Sequence, residues 1–421
     1  MAAIDREAAL GSSSAIPNGL VPPVKTNAPH WCTLGAARPL SEREQFALGA
    51  ARRAHAPAGA LLAAALALPG MVPTEAGAQT APDRGLVELK VLDYRDWQPG
   101  ANRMSVRSPS LYVVKPLSDT LVIEGSLVYD SMSGASPLYY NTLSGASGVG
   151  VTDYRTAGDV KVTRYFGGVA IGVGAAVSSE RDFLSRAGSL EVRLFSEDRN
   201  RTWAFDFAGT NDRINPVNGV VVNAPRNTLD FLIGVTQALS PSAIVQSNVT
   251  YSRGHGYYSD PYKPLDTRPD RRTVFAWLTR YNRYFPAPDA TLRLSYRYLH
   301  DSFGSNSSAL EATWYQALPD EWSIAPSLRY YTQSAADFYF DPPFPQGYVA
   351  GQDYTADTRL SAFGAFTPSI AFARSFADGW RAGLKVAFYR QRASWQLAGK
   401  GSPGLEPFSA RWIEAGISRS F

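Results

Sequence analysis

Cysteine is almost missing from this chain of 421 residues: the only one is Cys32, near the start. Without thiols further along, disulfides, thiolate metal centres, covalently attached haem and cysteine nucleophiles are all excluded from the rest of the chain. Histidine is nearly as scarce. Of four, only His255 and His300 lie beyond residue 78, and two imidazoles without cysteine do not make a structural zinc site alone, though carboxylates could complete one. No metal and no cofactor is therefore expected. Long apolar runs are also lacking. Beyond residue 78 nothing approaches the roughly 18 apolar residues of a spanning helix, and a mean hydropathy of −0.19 excludes a bundle of membrane helices. A charge excess is missing too: 41 basic against 37 acidic residues give +4, which makes no case for nucleic acid. What is abundant is aromatic and turn-forming. There are 22 Tyr, 20 Phe and 9 Trp, with 35 Gly and 29 Pro, and 34 of the 41 basic residues are Arg. That is a heavy aromatic load for a soluble α/β enzyme.

The first 51 residues show no apolar periodicity and read as a disordered extension, most simply a translation start placed too far upstream. Residues 52–78 then follow the order of a secretory signal peptide: Arg52-Arg53, an apolar run over 58–68, the break Pro69-Gly70, and Ala76-Gly77-Ala78 as a small-x-small site. Cleavage after Ala78 leaves 421 − 78 = 343 residues, 79–421, and removes Cys32. The residues around Cys32, from His30 to Thr33, lack the small-residue run of a lipoprotein site.

From residue 86 onward the pattern has period two. Trp380, Ala382, Leu384, Val386 and Phe388 alternate with Arg381, Gly383, Lys385, Ala387 and Tyr389. Val169, Ile171, Val173 and Val177 alternate with Gly172, Gly174, Ala176 and Ser178. One apolar face and one polar or small face mark half-buried strands. The segments are 86–96, 102–115, 119–130, 157–166, 168–180, 187–197, 201–209, 227–239, 242–254, 272–285, 289–300, 307–318, 322–335, 359–376, 379–392 and 408–420. Each is near the length of about ten residues that a tilted strand needs to cross a bilayer. Short connections such as 115–119, 166–168 and 377–379 alternate with long ones at 131–156, 210–226, 254–271, 336–358 and 393–407.

A sandwich has no reason to sort its loops by end. A transmembrane antiparallel β-barrel does, with tight periplasmic turns and longer outer loops. The expectation is an all-β barrel of about sixteen strands, in a range of roughly fourteen to eighteen, with both termini periplasmic. Tyr and Trp fall at strand ends, as at Tyr94, Trp97, Tyr129, Trp203, Tyr251, Trp322, Trp380 and Trp412, where a membrane interface favours them. The chain ends on Phe421, which shares a face with Ile413, Ala415 and Ile417. A last strand closing on an aromatic looks like the signal read by barrel-assembly machinery.

Particular strings recur in a recognisable order. They stand at Ser133-Gly-Ala-Ser-Pro137, Thr163-Arg-Tyr-Phe166, 178–187, Gly234-Val-Thr-Gln237, 254–263, 268–272, Tyr296-Arg-Tyr298 and 329–339. Together they resemble the bacterial domain-of-unknown-function family 3570 over the whole chain after the leader. The resemblance implies an outer-membrane barrel of Gram-negative bacteria and no established activity.

The polar strand faces hold the candidate chemistry. Glu124, Lys161, Arg193, Asp206, Asp230, Arg293, Arg297, Glu311, Arg329, Lys385 and Glu414 are expected to face the lumen, with Asp130 and Glu191. So many charges are prohibitive in a dry interior, but a barrel of this size is wide enough for water or a plug. Mixed signs argue against a strongly selective anion pore. The loop string containing His255, Tyr258, Asp260, Tyr262 and Lys263 reads as turn chemistry or as a constriction folding into the lumen. His300 and Asp301 are neighbours on a strand and so point to opposite faces, a poor start for a catalytic pair. No catalytic residue is expected, and the chain is read as not an enzyme. The leading expectation is porin-like passage or capture of small polar solutes. A non-conducting scaffold for periplasmic or surface partners is the alternative, with an outer-membrane hydrolase behind both. Expected partners are outer-membrane lipid and lipopolysaccharide, the assembly machinery and a small polar solute, with no nucleic acid.

Overall fold

The structure is a computed structural model and describes residues 80–134, 151–263, 266–341, 349 and 351–421. The expected extension and signal peptide lie outside the described residues. The strands are β1 (Leu86–Gln98), β2 (Ala101–Ser118), β3 (Leu121–Gly134), β4 (Val151–Tyr165), β5 (Val169–Glu180), β6 (Phe183–Phe195), β7 (Arg201–Ile214) and β8 (Ala224–Ser240). They continue as β9 (Ala243–Gly256), β10 (Arg271–Phe285), β11 (Ala290–Asp301), β12 (Asn306–Ala317), β13 (Trp322–Gln333), β14 (Phe363–Ser375), β15 (Trp380–Arg392) and β16 (Phe408–Ser420). Each pairs antiparallel with the next, and β16 returns to β1, so the sheet closes as a sixteen-stranded barrel. An even number of strands brings both ends of the barrel to one rim, where Leu86 sits opposite Ser420.

Alternation explains the closure. On β5, Ala170 is fully buried while Val173 is 59 % exposed. The exposed apolar residues fall on one side of the ladder from strand to strand: Val173 lies opposite Leu190, Phe207 opposite Phe231, and Leu89 opposite Ile417. A continuous apolar outer surface on a closed barrel is the surface that a hydrocarbon layer covers. The fold is a transmembrane barrel.

The two rims differ. At the rim where β1 begins and β16 ends, the seven connections are two to five residues long. One of them, 376–379, turns through Asp378 and Gly379, both at positive φ (58° and 75°). At the opposite rim the connections run from two residues (99–100 and 181–182) to the 29 of 334–362. The expected regular alternation of short and long connections thus holds at one rim only. Residues 183–186, expected in a loop, continue β6 and pair with 211–214 of β7, which leaves Arg181-Asp182 as a tight turn. The strand expected from 359 begins at Phe363, because Asp357 caps a 3-10 turn at Thr358–Leu360 by accepting from the Arg359 backbone N–H.

Candidate functional site

The inner faces of the strands carry the charges, and the closed ladder sorts them by sign. The first wall spans β3 to β8 and presents Glu124, Asp159, Lys161, Glu191, Arg193, Asp206 and Asp230. Lys161 Nζ lies 2.5 Å from Glu124 and 3.1 Å from Glu191. Arg193 pairs with the same Glu191, Tyr112 donates to Glu124 (2.9 Å), and the Ser126 hydroxyl donates to Asp159. Asp206 sits directly opposite Glu191 in register, and its buried Oδ1 has no hydrogen-bond partner. Among these seven, five carboxylates against two cations leave the wall acidic; nearer the long-connection rim Asp130 pairs with Arg155 and Asp212 with Arg226 (2.8 Å) on the same faces.

The second wall spans β10 to β13 and presents Arg280, Arg293, Arg297, Glu311 and Arg329. Register puts Arg280 opposite Ser295, Ser295 opposite Glu311, and Glu311 opposite Arg329, so the four lie in one row across the sheet. Arg293 and Arg297 flank Ser295 two residues away on the same face. Arg293 donates to Asn282 (3.2 Å) and to the Tyr315 hydroxyl (3.4 Å), and its guanidinium lies over the Tyr315 ring. Arg329 lies over Tyr331. Glu311 accepts from Ser327 at 3.5 Å and makes no ion pair among the described residues. The Nη1 of Arg280 and the Nη2 of Arg297 are buried without a hydrogen-bond partner. Between the walls, around the seam, charges balance: Lys90 meets Glu88 (3.5 Å) and Glu414 (3.6 Å), and Glu414 lies opposite Lys385.

All eleven residues picked from the sequence as inner-facing therefore lie on inner strand faces. The signs mixed along the sequence are shared unevenly in space, one wall acidic on balance and the other basic. Asp159, Arg280, Glu88 and Lys90 complete the pattern but were not picked. Asp159 and Lys90 follow the same alternation. Arg280 does not, because β10 carries Val274, Ala276 and Leu278 on its inner face too, and no polar face stands out.

Above the lumen, the rim of long connections folds into a cap. Phe303, Ala336, Phe338, Tyr339, Leu360, Phe363 and Leu405 pack over Ala309, Tyr331 and Ala365 of the strand walls. The β9–β10 connection runs across the mouth. On one side Tyr262 donates to Asp182 of the β5–β6 turn, and Asn218 donates to the Pro261 carbonyl (2.8 Å). On the other side an ion network ties it to the β13–β14 connection. Arg268 bonds Asp266 (2.7 Å) and Asp357 (2.9 Å), Lys263 lies 3.6 Å from Asp357, and Arg359 reaches both Asp260 (3.2 Å) and Asp357. Burial alone would raise the Asp357 carboxyl, but Arg359, Lys263 and Arg268 hold it well below its ordinary value. Although burial works against both cations, carboxylates raise them: Asp357 foremost for Arg359, and Asp266 for Arg268. Tyr258 packs on the apolar cluster, edge-on to Phe303, with Arg226 over its ring.

The remaining candidates lie elsewhere. His255 is exposed on the outer face, 3.6 Å from Asp270. His300 bonds Asn306 (2.9 Å) on the outer face, while Asp301 turns inward to Arg272 (2.5 Å). Phe421 extends the β1–β16 seam by one step: its N–H and carbonyl bond those of Gly85 (3.0 and 2.8 Å), and its ring lies over Gly85.

A family model described as "Protein of unknown function (DUF3570)" matches residues 58–225 and 221–412. Among curated proteins none matches the sequence. Solved structures similar in fold include a bacterial polysaccharide outer membrane secretin, at 9% identity and TM-score 0.45, over 80% of this chain and 98% of that one. The siderophore receptor PirA from Pseudomonas aeruginosa has 10% identity and TM-score 0.41, over 81% of each chain. OccK9 (OpdG) from Pseudomonas aeruginosa has 10% identity and TM-score 0.40, over 80% of this chain and 98% of that one.

Proposed function

The chain belongs to the DUF3570 family of proteins of unknown function, and from its own residues we propose that it captures and passes small polar solutes through the outer membrane of a Gram-negative bacterium. One observation carries this reading: the lumen is lined by charges that leave buried donors and acceptors unpaired, on Arg280, Arg297 and Asp206. Such groups are costly in a dry core and tolerable beside water or a polar solute. The cap then governs entry from one side. A histidine-based hydrolase is the less favoured reading, because His255 and His300 both sit on the outer face.

Orientation follows from the surface chemistry. The long-connection rim faces out and the chain ends lie in the periplasm, after export through the signal peptide at 52–78 and cleavage after Ala78. Support comes from outward-facing arginines at that rim. Arg95 and Arg411 lie directly opposite one another on β1 and β16, and Arg107, Arg390 and Arg392 stand beside them. Asp93 answers only Arg95 and Arg107 (3.1 and 3.5 Å). Like charges directly across a ladder are destabilising unless an anion lies between them, and lipopolysaccharide phosphates would supply it. Among the described residues, only Arg392 of these arginines stacks on a ring, that of Trp395, whereas at the other rim stacking is the rule: Arg164 on Phe166, Arg283 on Phe285, Arg374 on Trp322 and Phe376, and Arg419 on Trp380. These are interface girdle contacts.

Osmotic swelling of vesicles containing the purified protein tests the reading. Swelling faster than that of empty vesicles in small polar solutes is expected. Rates equal to empty vesicles, for wild type and for a protein with a weakened cap alike, would favour a non-conducting anchor, the reading that the packed cap supports.

A further inference from the structure

The basic wall is over-supplied with one kind of group. Four guanidinium groups, those of Arg280, Arg293, Arg297 and Arg329, converge within two residues of Ser295 along one row and its neighbours, with Glu311 as the single carboxylate among them. Glu311 is bonded to Ser327 rather than to any of them. The acidic wall makes no ion pair with them among the described residues: its Glu124 and Glu191 engage its own Lys161 and Arg193. Repulsion within the cluster and the two buried, unpartnered N–H groups of Arg280 and Arg297 are both relieved by one event, the arrival of an oxyanion. Guanidinium forks match the paired oxygens of carboxylates and phosphates, and such charge-assisted bonds are the strong ones. The surroundings suit a small ligand. Tyr315 and Tyr331 hold Arg293 and Arg329 by their rings. Arg297 lies one step beneath the cap, opposite Ala309, which packs with Tyr331 and Phe363.

We propose that Arg280, Arg293, Arg297 and Arg329 form a binding site for an oxyanion, the phosphate or carboxylate group of a small solute held under the cap. The proposal rests on the reading that solutes enter the lumen, and it names their class. The facing acidic wall orients such a solute, repelling its anionic end and favouring a cationic or hydroxylated one.

The test uses purified full-length barrel in detergent at constant ionic strength in chloride, titrated with inorganic phosphate and separately with succinate. The readout is the unfolding temperature, which rises with any ligand that binds the folded state. Wild type should respond to at least one anion; phosphate alone or succinate alone identifies which group the site prefers. R280Q/R297Q should weaken the apparent affinity by about tenfold or more, and R280K/R297K should retain part of it. K115Q/R199Q, with the same loss of charge at exposed positions, should respond as wild type does. Differing mobility of boiled and unboiled protein on a gel checks that each variant is folded. If R280Q/R297Q fails to fold, the single variant R329Q takes its place. No response to either anion in wild type, or an equal response in the folded glutamine variant, overturns the site. Vesicle swelling is read separately: swelling without an anion response refutes the site and leaves solute passage standing, whereas an anion response without swelling keeps the site and refutes passage.

Discussion

Asp357 is the residue on which the cap turns. Its carboxylate meets three cations from two connections, so its loss leaves Lys263, Arg268 and Arg359 facing one another in a buried place. Removing one partner of a buried ion pair costs about 3–5 kcal/mol. Asp357→Asn is therefore expected to speed hydrogen exchange at the Thr355 and Leu360 amides, both of which donate within the cap, while strand amides stay protected. The pH dependence has a definite sign. The folded carboxyl titrates below its unfolded value of 3.8, so its contribution is fully present above that value and is lost as pH falls through the lower folded one. Protection in the cap, taken relative to the intrinsic pH dependence of amide exchange, should be flat from about pH 4 upward and fall only in stronger acid, and Asp357→Asn should abolish that fall. The pairing within this network was not legible in the sequence. The string around Asp260, Tyr262 and Lys263 stood out as turn chemistry or as a constriction folding into the lumen, but its partners Asp357 and Arg359 lie about a hundred positions away, and no local pattern links them.

Elements were far more legible, because a strand in a bilayer must satisfy a strict local rule. Its residues alternate between lipid and lumen, and every one of the sixteen segments read from that alternation is a strand in the structure. The misplaced boundaries cluster at the long-connection rim. There strands β6, β7 and β8 run on beyond the expected segments, where pairing continues and alternation fades. Reversing the rule at one position should be costly. Val173, mid-strand on β5 and exposed to lipid, changed to Arg should lose about 2–4 kcal/mol of folding free energy in vesicles, measured by reversible denaturant titration. At the rim, Arg95→Gln with Arg411→Gln should reduce the lipopolysaccharide that stays bound through purification, and undiminished lipopolysaccharide would contradict the proposed orientation. Removing Phe421, which completes the seam with Gly85, should lower the amount of barrel assembled in cells, measured as heat-modifiable protein in the outer-membrane fraction.

At the scale of the whole molecule, closure does what the sequence does not announce. Scattered inner charges of both signs become an acidic wall and a basic wall only because β3–β8 and β10–β13 occupy different arcs of one ring. The inner-facing residues were readable one strand at a time; their grouping was not, since it depends on which strands are neighbours and in what register. The same closure sets the barrel under a cap that ties the β5–β6 turn to the β13–β14 connection. The central claim is that a watery, charged lumen lies beneath that cap. Current recordings on the purified barrel in planar lipid bilayers test it most directly, comparing wild type with the variant carrying Asp357→Asn and Arg359→Gln. Discrete conductance steps, larger or more frequent in the variant, are the predicted result. A membrane as silent with either protein as with none would contradict the account.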